Sequence, residues 1–217
     1  MEKDRKIQVI AIAALIVGVV GLTIGFAAFS NVLTIKSSAN VNPDANSFNV
    51  DFSSSATEVL TAEIIPTVTP TDLVATNATI DNSNSPTISN LKATFTEPGQ
   101  KAVYNFYAYN KGELDAYLKS IVYANVSGQT STKVCTAGTG TTDELVQKAC
   151  SGISVKVKVG SESETNSGIA SISNHKLVKK TSELVTVTIE YQEGSEVADG
   201  DFTVSFGDIT LNYSSVD

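Results

Sequence analysis

Catalytic or metal chemistry in this chain would have to draw on a small stock: one histidine, two cysteines and 23 acidic residues among 217. His175 lies between Asn174 and Lys176 in a polar, turn-like stretch, which favours a structural or surface role. No H-E-x-x-H zinc motif, no G-x-S-x-G elbow and no phosphate-cradling glycine loop occurs, so the commonest hydrolase and nucleotide-binding readings lose their residues. Two carboxylates can still meet through space and hydrolyse a glycosidic bond, so a surface hydrolase stays as a minor alternative. Asp81-Asn82-Ser83-Asn84 and Asp199-Gly200-Asp201 offer clustered oxygens of the kind calcium takes about six to eight of. Neither matches an EF-hand loop, and turn formation accounts for both. The expectation is a protein that is no enzyme and needs no metal or other cofactor.

Cys135 and Cys150 flank a short helical pattern, Thr141 to Ala149, in which Thr141 and Glu144 have capping-box spacing and Leu145 and Ala149 share a face. In a chain placed outside the cytoplasm, a disulfide closing the 135–150 insertion is the natural reading. A metal or redox pair would need close spacing or a neighbouring histidine, and both are missing.

Export is written at the N-terminus. Lys3, Arg5 and Lys6 precede Ile7 to Phe29, a run without charge. At about 1.5 Å per residue a helix there crosses a hydrocarbon layer of about 30 Å, and its basic flank stays cytoplasmic. Residues 7–29 are thus expected to contact the membrane before, or without, cleavage. Gly25-Phe26-Ala27-Ala28-Phe29-Ser30 supplies small residues for a signal peptidase: a cut after Ala27 leaves Gly25 at the third position back, and a cut after Ala28 leaves Phe26 there. A retained single-pass anchor is the alternative. The chain carries a net charge of -8, and residues 1–28 hold three basic and two acidic groups, so the remainder comes out near -9. No nucleic-acid partner is expected on that balance. The carboxylates are scattered and are expected to be solvated.

The remaining sequence must supply whatever positions these groups. After Ser30 it breaks into short alternating runs bounded by Asn, Asp, Gly, Pro and Ser, the pattern of strands and turns. Expected strands are Val32 to Ile35, Phe48 to Phe52 (with three large apolar side chains on one face and Asn49 and Asp51 on the other), Val59 to Ile65, Asp72 to Ile80, Val103 to Asn110, Ala116 to Val126, Ile153 to Val159, Leu184 to Tyr191 and Phe202 to Tyr213. A loop is expected at Asp81 to Ser85, and Gly207-Asp208 is expected to bulge or bend the last strand. So many short strands fit an all-β, two-sheet sandwich with one short helical insertion, preceded by an N-terminal hydrophobic helix. The domain plan is 1–28 as signal peptide or anchor, 29–46 as an extended segment, and 47–217 as the β-sandwich.

Two stretches together resemble the TasA and camelysin family of exported bacterial proteins. One is Gly25 to Ser30, similar to that family's junction of an aromatic residue, two alanines and a following Phe, which places the cut between Ala28 and Phe29. The other is Glu97-Pro98-Gly99-Gln100 followed by Val103 to Ala116, similar to its proline-glycine turn, extended strand, Asn-x-Gly turn and return strand. The insertion at Cys135 to Cys150 and the Ser/Thr-rich stretch before Glu97 depart from the pattern. The resemblance implies a jelly-roll-like domain assembling into extracellular fibres of a biofilm matrix. Camelysin-like members have been classed as metalloproteases; with His175 alone, that activity is not carried over.

The expected function is therefore an exported structural subunit of the cell surface or extracellular matrix, with further copies of itself as partner. The alternative is a membrane-anchored monomeric adhesin or ligand-binding β-sandwich. Cleavage after Ala28 would free a strand-like segment with Phe29, Asn31, Leu33 and Ile35 on one face and Val32 and Thr34 on the other. Such a segment can pair with the open sheet edge of a neighbour and propagate a filament. The competing expectation is that Val32 to Ile35 pairs within its own subunit.

Overall fold

The structure, a computed structural model, describes residues 48–57, 63–83, 85–162, 164–165 and 169–216, all within the compact unit spanning 43–217. The hydrophobic N-terminal run, the Ala28–Phe29 junction and the expected strand Val32 to Ile35 lie outside the described residues.

Fifteen strands and one helix follow one another in the order β1 (Val50–Ser53), β2 (Glu63–Ile64), β3 (Thr67–Thr69), β4 (Val74–Ala75), β5 (Ala78–Asp81), β6 (Thr87–Ser89), β7 (Lys92–Phe95), β8 (Lys101–Asn110), β9 (Ala116–Tyr123), β10 (Lys133–Ala137), α1 (Asp143–Cys150), β11 (Ile153–Val159), β12 (Ile169–Leu177), β13 (Ser182–Tyr191), β14 (Phe202–Phe206) and β15 (Ile209–Ser214). The described residues are all-β with one short helix. Period-two alternation builds the longer strands: β8 buries Ala102, Tyr104, Phe106 and Ala108 and turns Lys101, Val103, Asn105 and Tyr107 outward. In β11, Ile153, Val155, Val157 and Val159 alternate with Ser154, Lys156 and Lys158 in the same way.

One layer is the antiparallel sheet β1-β8-β13-β11, in which β1 and β3 share one side of β8, β1 along Tyr107 to Asn110 and β3 along Lys101 to Val103. Facing it are two sheets, β10-β14-β7-β4 and β12-β9-β15-β6-β5-β2. The order β10, β14, β7, β4 repeats in β9, β15, β6, β5, and each matched pair is consecutive in sequence. Four columns therefore run through both sheets, each broken at the same level. Hydrogen bonds lace the breaks together: Thr76 N–H to Lys92 O (2.9 Å), Phe206 N–H to Leu91 O (2.9 Å), Gly207 N–H to Thr132 O (3.0 Å) and Ala124 N–H to Asp208 O (2.8 Å). Asn90 turns the β6–β7 break in the left-handed region (φ 60°), which Asn tolerates better than most residues.

The core lies between the layers. Tyr191 of β13 meets Phe202 of β14 edge-on at 5.4 Å and Phe95 of β7 at 5.9 Å. Phe52 of β1 packs edge-on against Phe106 at 4.7 Å. Burial lifts the Tyr104 phenol to about 12, and the group is satisfied by donating to Thr76 O at 3.0 Å.

Several expectations need correction. Phe202 to Tyr213 is not one bent strand but β14 and β15 in different sheets, and Asp72 to Ile80 divides likewise into β4 and β5. The chain does return after Asn110-Lys111-Gly112, but as β9 in the opposite layer, paired with β12 and β15. The strand expected from Phe48 begins at Val50, and Asp51 is buried, its charge met by Lys111. Asp81 belongs to β5 and not to the following loop. The helix starts at Asp143 and is capped by Thr142, whose hydroxyl accepts from Leu145 N–H, while Thr141 donates to Ala198 O; Val146, Ala149 and Cys150 form the buried face.

Candidate assembly edge and the polar cluster behind it

An assembly built on strand pairing needs an edge with unpaired backbone groups. Most edges here are closed by local devices. Along β11, the Lys133 ammonium donates to Ile153 O (2.5 Å) and Cys150 O (2.7 Å), Val157 exchanges both backbone bonds with Thr165 (2.8 Å each), and Val159 O accepts from Glu162 N–H (2.9 Å). On β1, the Asn82 carboxamide acts as a neighbouring strand, accepting from Phe52 N–H at 2.7 Å and donating to Phe52 O at 2.9 Å. The strands β2 and β4 are two residues long, and α1 packs along β10. That leaves β12, nine residues long, which among the described residues pairs on one side only, with β9. A bulge between Ser171 and His175 interrupts its ladder, and Asn174 there takes φ 63°.

Behind that edge sits a polar cluster. Leu118 of β9 is the register partner of His175 on one side and Tyr213 of β15 on the other, so the three form a row across the sheet. From the opposite layer Glu183, with the inward parity of Val185 and Val187 on β13, reaches both ends of the row. His175 Nε2 lies 2.6 Å from Glu183 Oε2, and Tyr213 donates to Glu183 Oε1 at 3.1 Å. Glu162, in the turn after β11, approaches His175 Nδ1 at 2.8 Å. Burial pulls the imidazole pKa down; the Glu183 charge, hydrogen bonds to Glu162 and Glu183, and the Glu162 charge outweigh it, and the net shift is upward from 6.5. Burial, then the charge and hydrogen bond of Glu183, push the Tyr213 phenol well above its ordinary range, so it stays a donor.

When protonated, the imidazole donates to a carboxylate from each ring nitrogen and in that form has no lone pair for a metal or a substrate proton. Among the described residues no group of three or more His, Cys, Asp and Glu side chains is placed to hold a metal ion. His175 is thus in a strand and buried, not in the polar turn that its neighbours predicted. Reading outward from Leu177, alternation places His175 inside, but the bulge resets the parity before Ile172, which also packs on the core.

The other sequence-predicted groups fall apart from this cluster. Cys135 and Cys150 form the expected disulfide, with Cα atoms 6.1 Å apart, joining β10 to the end of α1. A surface cavity of about 410 Å³ lined by Lys133, Gln147, Ser151 and the two cysteines lies over it. Burial lowers the Lys133 pKa, but the Cys150 carbonyl it meets ends α1, where a helix C-terminus favours a cation. Replacing both cysteines by serine should lower stability by about 3 kcal/mol for a loop of this length, as measured by denaturant titration; an unchanged midpoint would show that Lys133 and the buried face of α1 hold the insertion without the bridge. Asp81 accepts from Ser83 N–H (2.8 Å) within its own turn, whereas Asp201 accepts from Thr139 N–H (2.5 Å) and so ties the loop before β14 to the one after β10. Ala28, Phe29, Val32, Leu33 and Ile35 lie outside the described residues. Among the described residues no helix is long and apolar enough to cross a membrane. No family model, curated protein or solved structure matches the chain.

Proposed function

We propose that the chain is an exported structural subunit that polymerises into extracellular fibres or matrix at the cell surface by strand donation, on a jelly-roll-like variant of the sandwich. The observation that carries this reading is the contrast among edges: β11 and β1 are capped by side chains and turns, whereas β12 offers nine residues with one side unpaired among the described residues. Among the described residues an edge of that length, left open where the others are short or closed, fits an acceptor for a neighbour's extended segment. The Cys135–Cys150 bridge supports export, because such bonds persist in oxidising compartments. The resemblance of Gly25 to Ser30 and of Glu97 to Ala116 to the TasA and camelysin family points the same way.

In this reading residues 7–29 hold the chain at the membrane until cleavage between Ala28 and Phe29 releases Phe29 to Ile35, with Leu33 and Ile35 as the apolar knobs of the donated strand. Deleting Phe29 to Ile35 from the processed protein should leave a folded monomer that forms no fibres, read by sedimentation and negative-stain imaging beside the full-length processed form. Normal fibres from the truncation would overturn strand donation. An unfolded truncation would assign the segment to its own subunit, and a processed protein that stays monomeric over a wide range of concentration, salt and pH would favour a monomeric adhesin or ligand-binding sandwich.

A further inference from the structure

We infer that His175 is a proton-operated clasp that fastens the edge strand β12 to the opposite layer when the imidazole is charged and slackens it when the proton leaves. The geometry carries the inference and needs no assumption about fibre assembly. Both ring nitrogens face carboxylate oxygens, at 2.6 Å and 2.8 Å, and a carboxylate only accepts. An imidazolium satisfies both contacts because both nitrogens donate. A neutral imidazole has one donor, so one nitrogen's lone pair then faces an oxygen and that contact becomes repulsive. The balance of charge changes too: one cation between two anions becomes two anions alone.

The enclosure decides which contact opens. Glu183 has a side chain 13% exposed, holds Tyr213 through its second oxygen, and lies against Gly160, where an added methyl carbon would come within 2.8 Å of Glu183 Oε2. Glu162 is 35% exposed and can turn to water. Deprotonation is therefore expected to release Glu162 first. The groups packed around the imidazole leave little to compensate. Its partner on β9 is Leu118, β13 presents Glu183, β15 presents the Tyr213 phenol behind Glu183, and the turn after β11 presents Gly160 and Glu162. The neighbouring Lys176 is turned to Asp115 at 2.5 Å.

The direction of the pH effect follows from the protonated form being the one the fold prefers. A group bound more tightly to its proton in the folded state contributes its full stabilisation below its unfolded pKa of 6.5, and that contribution is lost as pH rises through the higher folded value. The edge strand is thus fastened in acid and slackens on the alkaline side.

Because the chain has one histidine, its imidazole resonance can be followed without assignment ambiguity. In the full chain, that resonance should titrate with a midpoint above 6.5, and amide protection of Ile169 to Leu177, corrected for intrinsic exchange, should fall across the same midpoint while that of β8 holds. Glu162→Gln should move the midpoint down, and His175→Gln should make β12 protection independent of pH. A wild-type midpoint at or below 6.5, or β12 protection that ignores the titration, would overturn the clasp. Should His175→Gln fail to fold, the wild-type titration and the Glu162→Gln shift decide the matter alone.

Discussion

Phe202→Ala should lower the free energy of unfolding by about 3–5 kcal/mol, the range for removing a large aromatic side chain from a packed core. The ring is fully buried and stands where the two layers meet: 5.4 Å from Tyr191 of β13, perpendicular to it, and 6.1 Å from Phe95 of β7. Its loss removes buried apolar area and an edge-to-face contact, and it leaves a cavity that rigid ladders on three strands cannot close. Tyr191→Phe is the natural comparison, because it keeps the ring and deletes the hydroxyl that donates to Glu196 O; a hydrogen bond of that kind is worth about 1 kcal/mol. Urea titrations at constant slope would give both values. A cost under about 1 kcal/mol for Phe202→Ala would show that the three rings are not the pillar between layers that their geometry describes.

The strands themselves are visible in the sequence where side chains alternate without interruption, as in Ile153 to Val159 and Leu184 to Tyr191. A disulfide between two cysteines flanking an insertion is equally plain. What alternation cannot convey is which sheet a strand joins. Period two assigns Tyr104 and Phe106 to one face, yet nothing local says that the strand after Asn110-Lys111-Gly112 crosses to the other layer instead of closing a hairpin. The column breaks are hidden for a related reason: Thr76, Asn90 and Gly207 interrupt their strands in register with one another, and the register is set by bonds from Thr76 to Lys92 and from Gly207 to Thr132, far apart in sequence.

Polar residues misled in one consistent way. Nothing in the local sequence of Asp51, Asn82, Lys133 or His175 names a partner, yet each has its polar group spent on a specific internal one: the Lys111 ammonium, the Phe52 backbone, two carbonyls, and two carboxylates. A polar side chain near a strand edge can serve as a substitute strand, and that use leaves no composition signal. The candidate site is accordingly less legible than the fold, since an edge is defined by what fails to cover it.

Gly207 offers the sharpest test of the broken-column layer. Its backbone does not require glycine for a left-handed turn; the requirement is room. A methyl group at Gly207 would lie inside the van der Waals surface of the Ala124 carbonyl oxygen and 2.7 Å from the carbonyl carbons of Ala124 and Asn125. These are main-chain atoms, so no side chain can rotate aside to admit it. The site is also pinned on both flanks, by Gly207 N–H on Thr132 O and by Ala124 N–H on Asp208 O. Gly207→Ala must therefore push the column of β9 and β10 away from that of β14 and β15, at a cost of about 1–3 kcal/mol or more. Hydrogen exchange should show the amides of Ala124 and Gly207 losing protection ahead of those in β8 and β13. Gly128→Ala separates space from backbone geometry: nothing lies within 4 Å of its missing methyl, but its φ of 76° charges an L-residue about 1–2 kcal/mol. That variant should lose stability while leaving the Ala124 amide protected. If Gly207→Ala instead matches the wild type in stability and exchange, the two sheets are joined loosely at this line and the column description fails.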